Sequence, residues 1–297
     1  MRITKTVGTG FLALSVCLNF FACSNNDDNI FDDSNGGAMP TKRISEIYYD
    51  ISTSKEAIKA VFWDYPCRID YAEDGKVLRF RGYNEGNINN IIGTTWLNDD
   101  EWGVDKTFTY IDDGVIAKGH HRGGSGAYTY YHHLNKDGFV DMTKDSNNYF
   151  YYENGYLTAW GAINSDNYYY SFKYQEGNLI TGYRYSLGKP IDNFYISYGT
   201  QKNKGGIVDP ARFLSIPDGS TNDWAALMYA GIFGKPNNLL PVKMIHTYGT
   251  GNIENATCYE FTYQLDNDGY VKSIYITQTN NSTNEVSTVK LCYKYIE

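Results

Sequence analysis

After its first two dozen residues the sequence holds no apolar run of 18 residues, so nothing there can cross a bilayer as a helix. Proline is scarce, at 7 of 297 residues, and charged residues make up only 20%. The long Ala, Glu, Lys and Leu stretches of helical bundles and coiled coils are missing, which excludes those classes. Basic residues never cluster and the net charge is −8, which argues against nucleic acid as a partner. Cysteine is too sparse for a disulfide framework. Of five, Cys17 and Cys23 lie near the N-terminus, leaving Cys67, Cys258 and Cys292, an odd number at wide spacing. They read as small core residues, although Cys258 and Cys292 both fall on expected strands and are open to pairing. What the chain has in abundance is aromatic side chains, 16% of the total, with 29 tyrosines. Disordered chains are aromatic-poor, so that load excludes disorder for the bulk of the sequence.

The N-terminus carries an address. Arg2 and Lys5 supply positive charge, an apolar stretch runs from Val7 to Phe21, and Ala22-Cys23 follows. A charged start, a short apolar core and a small residue before the cut describe a secretory signal. The Ala22-Cys23 junction is similar to a bacterial lipobox, whose cysteine becomes the lipidated first residue of the mature chain. Residues 1–22 then form the signal peptide, and their loss takes the charge to about −10. Several acyl chains on Cys23 would anchor the protein firmly in a membrane, since one alone is marginal. Residues 23–42 include Asp27-Asp28 and Asp32-Asp33 among Asn, Ser and Gly, a composition expected of a flexible acidic tether. Such a tract after a lipidated cysteine resembles the surface-export signal of Bacteroidetes lipoproteins. The expected location is the outer membrane, on its outer surface, with the periplasmic face as the alternative.

From 43 to 297 the pattern is that of one β domain. Val77-Leu-Arg-Phe-Arg81, Tyr168-Tyr-Tyr-Ser-Phe-Lys-Tyr174 and Ser273-Ile-Tyr-Ile-Thr277 alternate in polarity with β-branched and aromatic residues. Asp74-Gly75, Asp113-Gly114, Asp137-Gly138, Asn154-Gly155 and Asp268-Gly269 punctuate them as hairpin turns. Most turns share one motif: an aromatic residue, a few polar ones, Gly, then an apolar residue. It begins at Tyr71, Tyr110, His133, Tyr152, Tyr174 and Tyr263. Its unequal spacing excludes a propeller or solenoid period. One segment breaks the pattern. Trp224, Leu227, Met228 and Ile232 form a helical stripe, with Asp223 as cap, Gly234 as stop and Pro236 beyond. The expected fold is therefore all-β, an antiparallel meander of hairpins, open or barrel-like. A loop-helix insertion at about 200–242 carries one short helix near 223–233.

Taken in order, Cys23, the repeated Tyr…Gly turns and the Trp224-to-Pro241 segment resemble a Bacteroidetes family of secreted lipoproteins of unknown function with a porin-like β fold. The turn motif also resembles the longer, more regular tyrosine-aspartate repeats of Rhs-type shells. The first resemblance implies architecture and surface location and brings no catalytic residues with it. A membrane-embedded barrel would need unbroken outward apolar residues, whereas Lys173, Gln175 and the charged turns argue for a water-facing sheet.

Candidate chemistry is sparse. His120, His121, His132 and His133 flank Gly123-Gly-Ser-Gly126 and are weak metal candidates. One hairpin register would pair them two by two, still short of the three protein ligands of a catalytic zinc. Glycines centred near Gly124-Ser125 would break that pairing. Gly123-Gly-Ser125-Gly-Ala127 lacks the last Gly of a nucleophile elbow, and Asp99-Asp100-Glu101 beside Trp102 reads as an acidic loop. No metal or other cofactor is expected. Aromatic surface remains: Tyr130, Tyr151, Tyr169, Trp96, Trp102 and Trp160 are the candidate ligand-binding platforms, against the alternative that the aromatic runs only brace the sheet. The expected function is non-catalytic binding, at the cell surface, of glycan or another envelope or host component, with a glycan or a protein as the partner. A glycan hydrolase with paired Asp/Glu and a structural envelope subunit are the alternatives.

Overall fold

The computed structural model describes residues 42–50, 67–82, 104–121, 127–144, 148–162, 168–207, 226–249 and 253–296. Sixteen strands run through them in chain order. The first eight are β1 (Arg43–Tyr49), β2 (Cys67–Tyr71), β3 (Val77–Gly82), β4 (Val104–Ile111), β5 (Gly114–His121), β6 (Ala127–Leu134), β7 (Val140–Thr143) and β8 (Asn148–Glu153). The rest are β9 (Tyr156–Ala162), β10 (Tyr168–Gln175), β11 (Asn178–Ser186), β12 (Lys189–Lys202), β13 (Leu239–Tyr248), β14 (Thr257–Leu265), β15 (Val271–Asn280) and β16 (Glu285–Ile296). Each pairs antiparallel with its neighbours in sequence, and β1 pairs with β16, so the meander closes into a barrel. Closure removes the exposed edges an open sheet would leave.

Polarity runs opposite to that of a lipid-embedded barrel. Phe80, Phe108, Phe150, Phe172, Phe194, Met244, Phe261 and Ile276 point inward and are buried. Rows of cross-strand partners on the outer face are polar, as in Thr107–Lys118–Thr129 and Lys243–Glu260–Thr277–Thr288. A Lys at the midplane of a lipid-facing wall costs about 2–4 kcal/mol. Here the outer wall also carries ion pairs such as Arg68–Glu46 at 3.1 Å and Lys294–Glu46 at 2.6 Å.

The shared turn motif has a three-dimensional counterpart. At one end of the barrel, every even strand finishes with an inward ring or Leu: Tyr71, Tyr110, Leu134, Tyr152, Tyr174, Tyr198, Tyr263 and Tyr295, all packed on the core. Every odd strand begins there with a buried aliphatic residue: Ile44, Val77, Val115, Val140, Leu157, Leu179, Leu240 and Val271. Five of the tyrosines donate from the hydroxyl back to the start of the preceding odd strand. Tyr71 reaches Ile44 O at 2.7 Å, Tyr152 Val140 O at 2.6 Å, Tyr198 Leu179 O at 2.8 Å, Tyr263 Pro241 O at 2.6 Å and Tyr295 Val271 O at 2.8 Å. The barrel is thus eight hairpin units, the eighth made by the two termini of the chain. In the unit whose motif begins at His133, the inward residue is Leu134.

Glycine enters these turns for two different reasons. Asn154-Gly155, Glu176-Gly177 and Leu187-Gly188 have positive φ at both residues, the two-residue turn that suits strand twist. Gly114 instead lies in the strand without positive φ, and a Cβ there would sit 2.5 Å from His132 O, so its role is close approach of β6.

The same end is covered by the β12–β13 connection. A helical turn at 226–229 lies within the expected helical segment, and residues 230–238 leave the helix. Gly231 and Gly234 take positive φ; after the turn closes on itself through Ala230 N to Ala226 O and Gly231 N to Met228 O, the backbone also bonds to the hairpins. Val140 N donates to Ile232 O, Lys235 N to Gly155 O and Asn238 N to Gly177 O. Leu227, Ile232 and Phe233 join the core, Phe233 meeting Phe150 edge-on at 5.0 Å. Lys42, at the start of β1, pairs with Asp266 (3.4 Å) and Asp268 of the β14–β15 turn, so the chain enters the barrel at this covered end.

Candidate functional site

The four aromatic candidates among the described residues separate by face. Tyr151 (58% exposed) and Tyr169 (38%) point outward into solvent. Tyr130 and Trp160 point inward: Tyr130 packs with Tyr128, and Trp160 is buried in a parallel stack with Tyr170, centroids 4.3 Å apart. Consecutive residues in a strand face opposite ways, so each tyrosine run divides between wall and interior. Trp96 and Trp102 lie outside the described residues, as do Cys23 and Asp99-Asp100-Glu101.

Around Tyr151 and Tyr169 the outer wall of β8–β12 is a tyrosine strip. Cross-strand register sets Tyr149, Gly161, Tyr169 and Tyr185 in one row and Tyr151, Ala159, Ser171 and Tyr183 in the next. Tyr195 (45% exposed) follows on β12. Tyr169 and Tyr185 stack at 4.3 Å with their planes 4° apart, so they form one rigid double platform. Small residues on β9 and β10 leave a shallow trough between it and Tyr149 and Tyr151. At about 4.8 Å per strand, the strip spans roughly 19 Å from β8 to β12. Burial pushes the Tyr195 phenol above its ordinary value, so its hydroxyl stays protonated and able to donate.

The histidines do not converge. His120 pairs with Ala127, while Val115 faces His132 and Gly114 faces His133. The register that would pair the four histidines is not adopted. His132 is buried with Nδ1 3.0 Å from Thr143 Oγ1, and outward His133 lies 2.6 Å from Asp141. No group of three His, Cys, Asp or Glu placed to hold a metal occurs among the described residues. Among the described residues Cys67, Cys258 and Cys292 form no disulfide. Cys258 pairs with Thr279 and Cys292 with Ser273, six residues apart along the intervening β15, so the open Cys258–Cys292 pairing is excluded.

A second constellation was not anticipated from sequence. On the inward face of β11–β13, near the barrel end opposite the covered one, Arg184 pairs with Asp192. His246 Nε2 lies 3.5 Å from Asp192 Oδ1, and the His246 ring sits between Phe194 (centroids 4.5 Å) and Tyr248 (4.1 Å). His246 is 6% exposed, and neither of its ring nitrogens makes a hydrogen bond; Arg184 Nε lacks one too. The Tyr248 ring is exposed, and its phenol is pushed up by partial burial and by the Asp192 charge. The carboxylate thus faces a guanidinium and an imidazole rather than a second carboxylate, which is not the arrangement of a glycosidase pair.

No family model and no curated protein matches the chain. Among solved structures, it is similar to a porin-like protein from Bacteroides uniformis, at 16% identity and a TM-score of 0.59, covering 86% of this chain and 98% of that one. A porin-like protein from Bacteroides vulgatus aligns at 10% identity and a TM-score of 0.44, over 86% of this chain and 99% of that one. At such identities the likeness to the first is one of fold, and it agrees with the barrel described above.

Proposed function

We propose that this is a non-catalytic envelope lipoprotein, anchored through Cys23, that binds glycan on the outer tyrosine strip of β8–β12. The observation that carries the reading is the exposure of Tyr151, Tyr169 and Tyr195 on one wall, beside a trough of small side chains. Sugar rings stack their C–H faces on aromatic rings while tyrosine hydroxyls bond the hydroxyl rim, the combination that suits wet interfaces. A diffusion channel is disfavoured, because the interior is packed with buried aromatics and the β12–β13 connection crosses one end. The Bacteroides origin of the porin-like neighbour supports an envelope location, and the N-terminal motif supports the anchor.

The test is a glycan array followed by titration of the best oligosaccharide. The double variant Tyr151→Ala, Tyr169→Ala weakens binding by about tenfold or more, since aromatic contacts at such sites contribute on the order of 1 kcal/mol each. Unchanged affinity in the double variant, with its melting temperature intact, would remove the strip from the function. Cys23→Ser releases the protein from the membrane fraction; a variant that stays bound would end the lipoprotein reading.

A further inference from the structure

We infer that the outer strip holds a slot along β9, between Tyr149 and Tyr169 over Gly161, that grips a sugar ring by both faces. It thereby selects glycans whose rings carry every hydroxyl equatorial, the gluco and xylo configurations. This rests on the glycan reading above and names the class of glycan that the same wall takes.

The stacked pair sets one wall. Tyr169 and Tyr185 lie 4.3 Å apart with planes 4° from parallel, close to the spacing of their strands, so both rings stand upright on the sheet. Tyr185 covers the β11 side of Tyr169, yet Tyr169 remains exposed, and its free face looks across β9. There its partner is Gly161, which has no side chain to fill the space, and Gly161 pairs in turn with Tyr149 on β8. Gly161 does not take positive φ, so the backbone makes no demand for glycine at this point. Two tyrosines thus flank a bare position at two strand spacings, about 9.6 Å. A ring seated midway lies about 4.8 Å from each, within the range of about 4.5–7 Å at which rings attract. Gly161 and Tyr149 are only half-buried, so floor and far wall are both open to solvent. One row along, Ala159 continues the floor between exposed Tyr151 and half-buried Ser171, so the slot follows β9.

Contact on two sides selects the ligand class. A pyranose with all hydroxyls equatorial presents axial C–H groups on both faces and sends its hydroxyls out from the ring edge. Both faces then meet aromatic carbon, while the hydroxyls reach water, Ser171 Oγ or the tyrosine hydroxyls. An axial oxygen, at C2 of mannose or C4 of galactose, makes one face polar. In the slot that oxygen is pressed on a ring that cannot match its hydrogen bonds, which is costly. A one-sided platform avoids the penalty by using the other face, so this preference distinguishes a slot from a platform. Equatorial linkage oxygens lie close to the ring plane, so a chain of such rings runs along β9, past Ala159.

The experiment uses full-length protein and four neutral β-1,4-linked tetrasaccharides. Cellotetraose and xylotetraose carry every hydroxyl equatorial; mannotetraose and galactotetraose carry an axial oxygen on each ring. Calorimetric titration gives the affinities. The equatorial pair binds about tenfold or more tighter than the axial pair, the discrimination expected when a buried hydroxyl goes unmatched. Gly161→Val fills the floor and weakens cellotetraose binding about tenfold or more, while the melting temperature holds, because a β-branched residue suits a strand better than glycine. Tyr149→Ala removes the far wall and weakens binding about fivefold; if Gly161→Val fails to fold, this variant and the sugar preference decide. Equal affinity for the two pairs, a preference for the axial pair, or full cellotetraose binding in a folded Gly161→Val or Tyr149→Ala variant overturns the proposal. Should oligosaccharides bind and lose affinity in Tyr151→Ala, Tyr169→Ala while Gly161→Val and Tyr149→Ala bind them fully, the slot fails and the strip stands as a one-sided platform. Silence of all four probes, with another oligosaccharide bound through Tyr151 and Tyr169, has the same meaning. Full binding in the double variant overturns both readings, as does the absence of any saccharide binding.

Discussion

Replacing Tyr263 with Phe removes one oxygen atom and tests the hairpin grammar directly. The hydroxyl donates to Pro241 O at 2.6 Å, and Pro241 is buried at the start of β13. A neutral hydrogen bond contributes about 0.5–1.5 kcal/mol net, and stranding a buried acceptor costs about 1–3 kcal/mol. Phenylalanine keeps the ring, so no cavity term enters. The expected loss is therefore about 1–3 kcal/mol. For a domain of this size, 1 kcal/mol moves the melting temperature by about 2–4 °C, so the drop should be about 2–12 °C. Tyr152→Phe, Tyr198→Phe and Tyr295→Phe should fall in the same range, because each hydroxyl meets a carbonyl on the neighbouring odd strand. Tyr151→Phe is the internal control: same chemistry, adjacent in sequence to Tyr152, but outward and exposed. It should change stability by less than about 0.5 kcal/mol. Urea melts followed by tryptophan fluorescence give the midpoints. If Tyr151→Phe and Tyr152→Phe destabilise equally, or if the covered-end variants are all neutral, the tyrosine ring of hydroxyl anchors is not what holds the hairpins.

Gly177→Ala should destabilise strongly, by about 2–4 kcal/mol, since the residue has positive φ and its new Cβ would lie 2.1 Å from Asn238 Nδ2; a melting temperature within 2 °C of wild type would refute the close packing of the β12–β13 connection on that turn. Alkaline titration should show tyrosines ionising in two groups. Burial pushes Tyr110 up to about 12, and Tyr71 and Tyr259 are raised further by the same cause. The sign follows from which state holds the proton: the unfolded chain loses these protons near pH 10 and the folded chain later. Their contribution to stability is complete below pH 10 and is lost as pH rises through the folded values, so urea midpoints should fall above about pH 10 and hold steady below it. Thiol labelling of the native protein should modify half-buried Cys258 and Cys292 before Cys67, which reacts only on unfolding; the Cys292 thiol is raised by burial, so its labelling should accelerate with pH. A Cys258–Cys292 disulfide found by mass spectrometry would contradict the strand register.

The hairpins were legible in sequence because turn chemistry is local. Tyr71, Tyr110, Tyr152, Tyr174 and Tyr263 each stand a few residues before a Gly, and that spacing alone marks the end of an even strand. Closure was not legible, because the pairing of β1 with β16 depends on strand number and shear rather than on any residue at either strand. The candidate aromatics were found as runs, but runs do not reveal phase. Tyr151 and Tyr152 are neighbours with opposite fates, and only the register assigns one to solvent and the other to the core. The inward cluster was invisible for a related reason. Arg184 and Asp192 share a hairpin centred on Leu187-Gly188, a turn that carries no Asp or Asn and so lacked the usual signal. His246 then arrives from β13 across a long connection, and no spacing rule links it to them. The histidine cluster that did stand out in sequence dissolved for the opposite reason: adjacency along the chain placed His120 and His133 in different rows of the sheet.

The seam between β1 and β16 has a bearing on how the chain reaches its native state. It joins Arg43 to Ile296, about 250 residues apart, whereas the other fifteen strand pairings link sequence neighbours. Closing a loop of that length from an open chain costs on the order of 5 kcal/mol in entropy, but zipping the intervening hairpins first shortens the effective loop. Assembly is then expected to run as a growing curved sheet, fast at each local step and gated by one non-local event. Until β16 has been synthesised, β1 waits with an unpaired edge and the aromatic interior has no second wall. The chain passes through that half-built stage with an exposed edge, and exposed edges recruit other chains. The closing strand pair is therefore the point at which a maturation factor or a misassembled neighbour would compete most effectively.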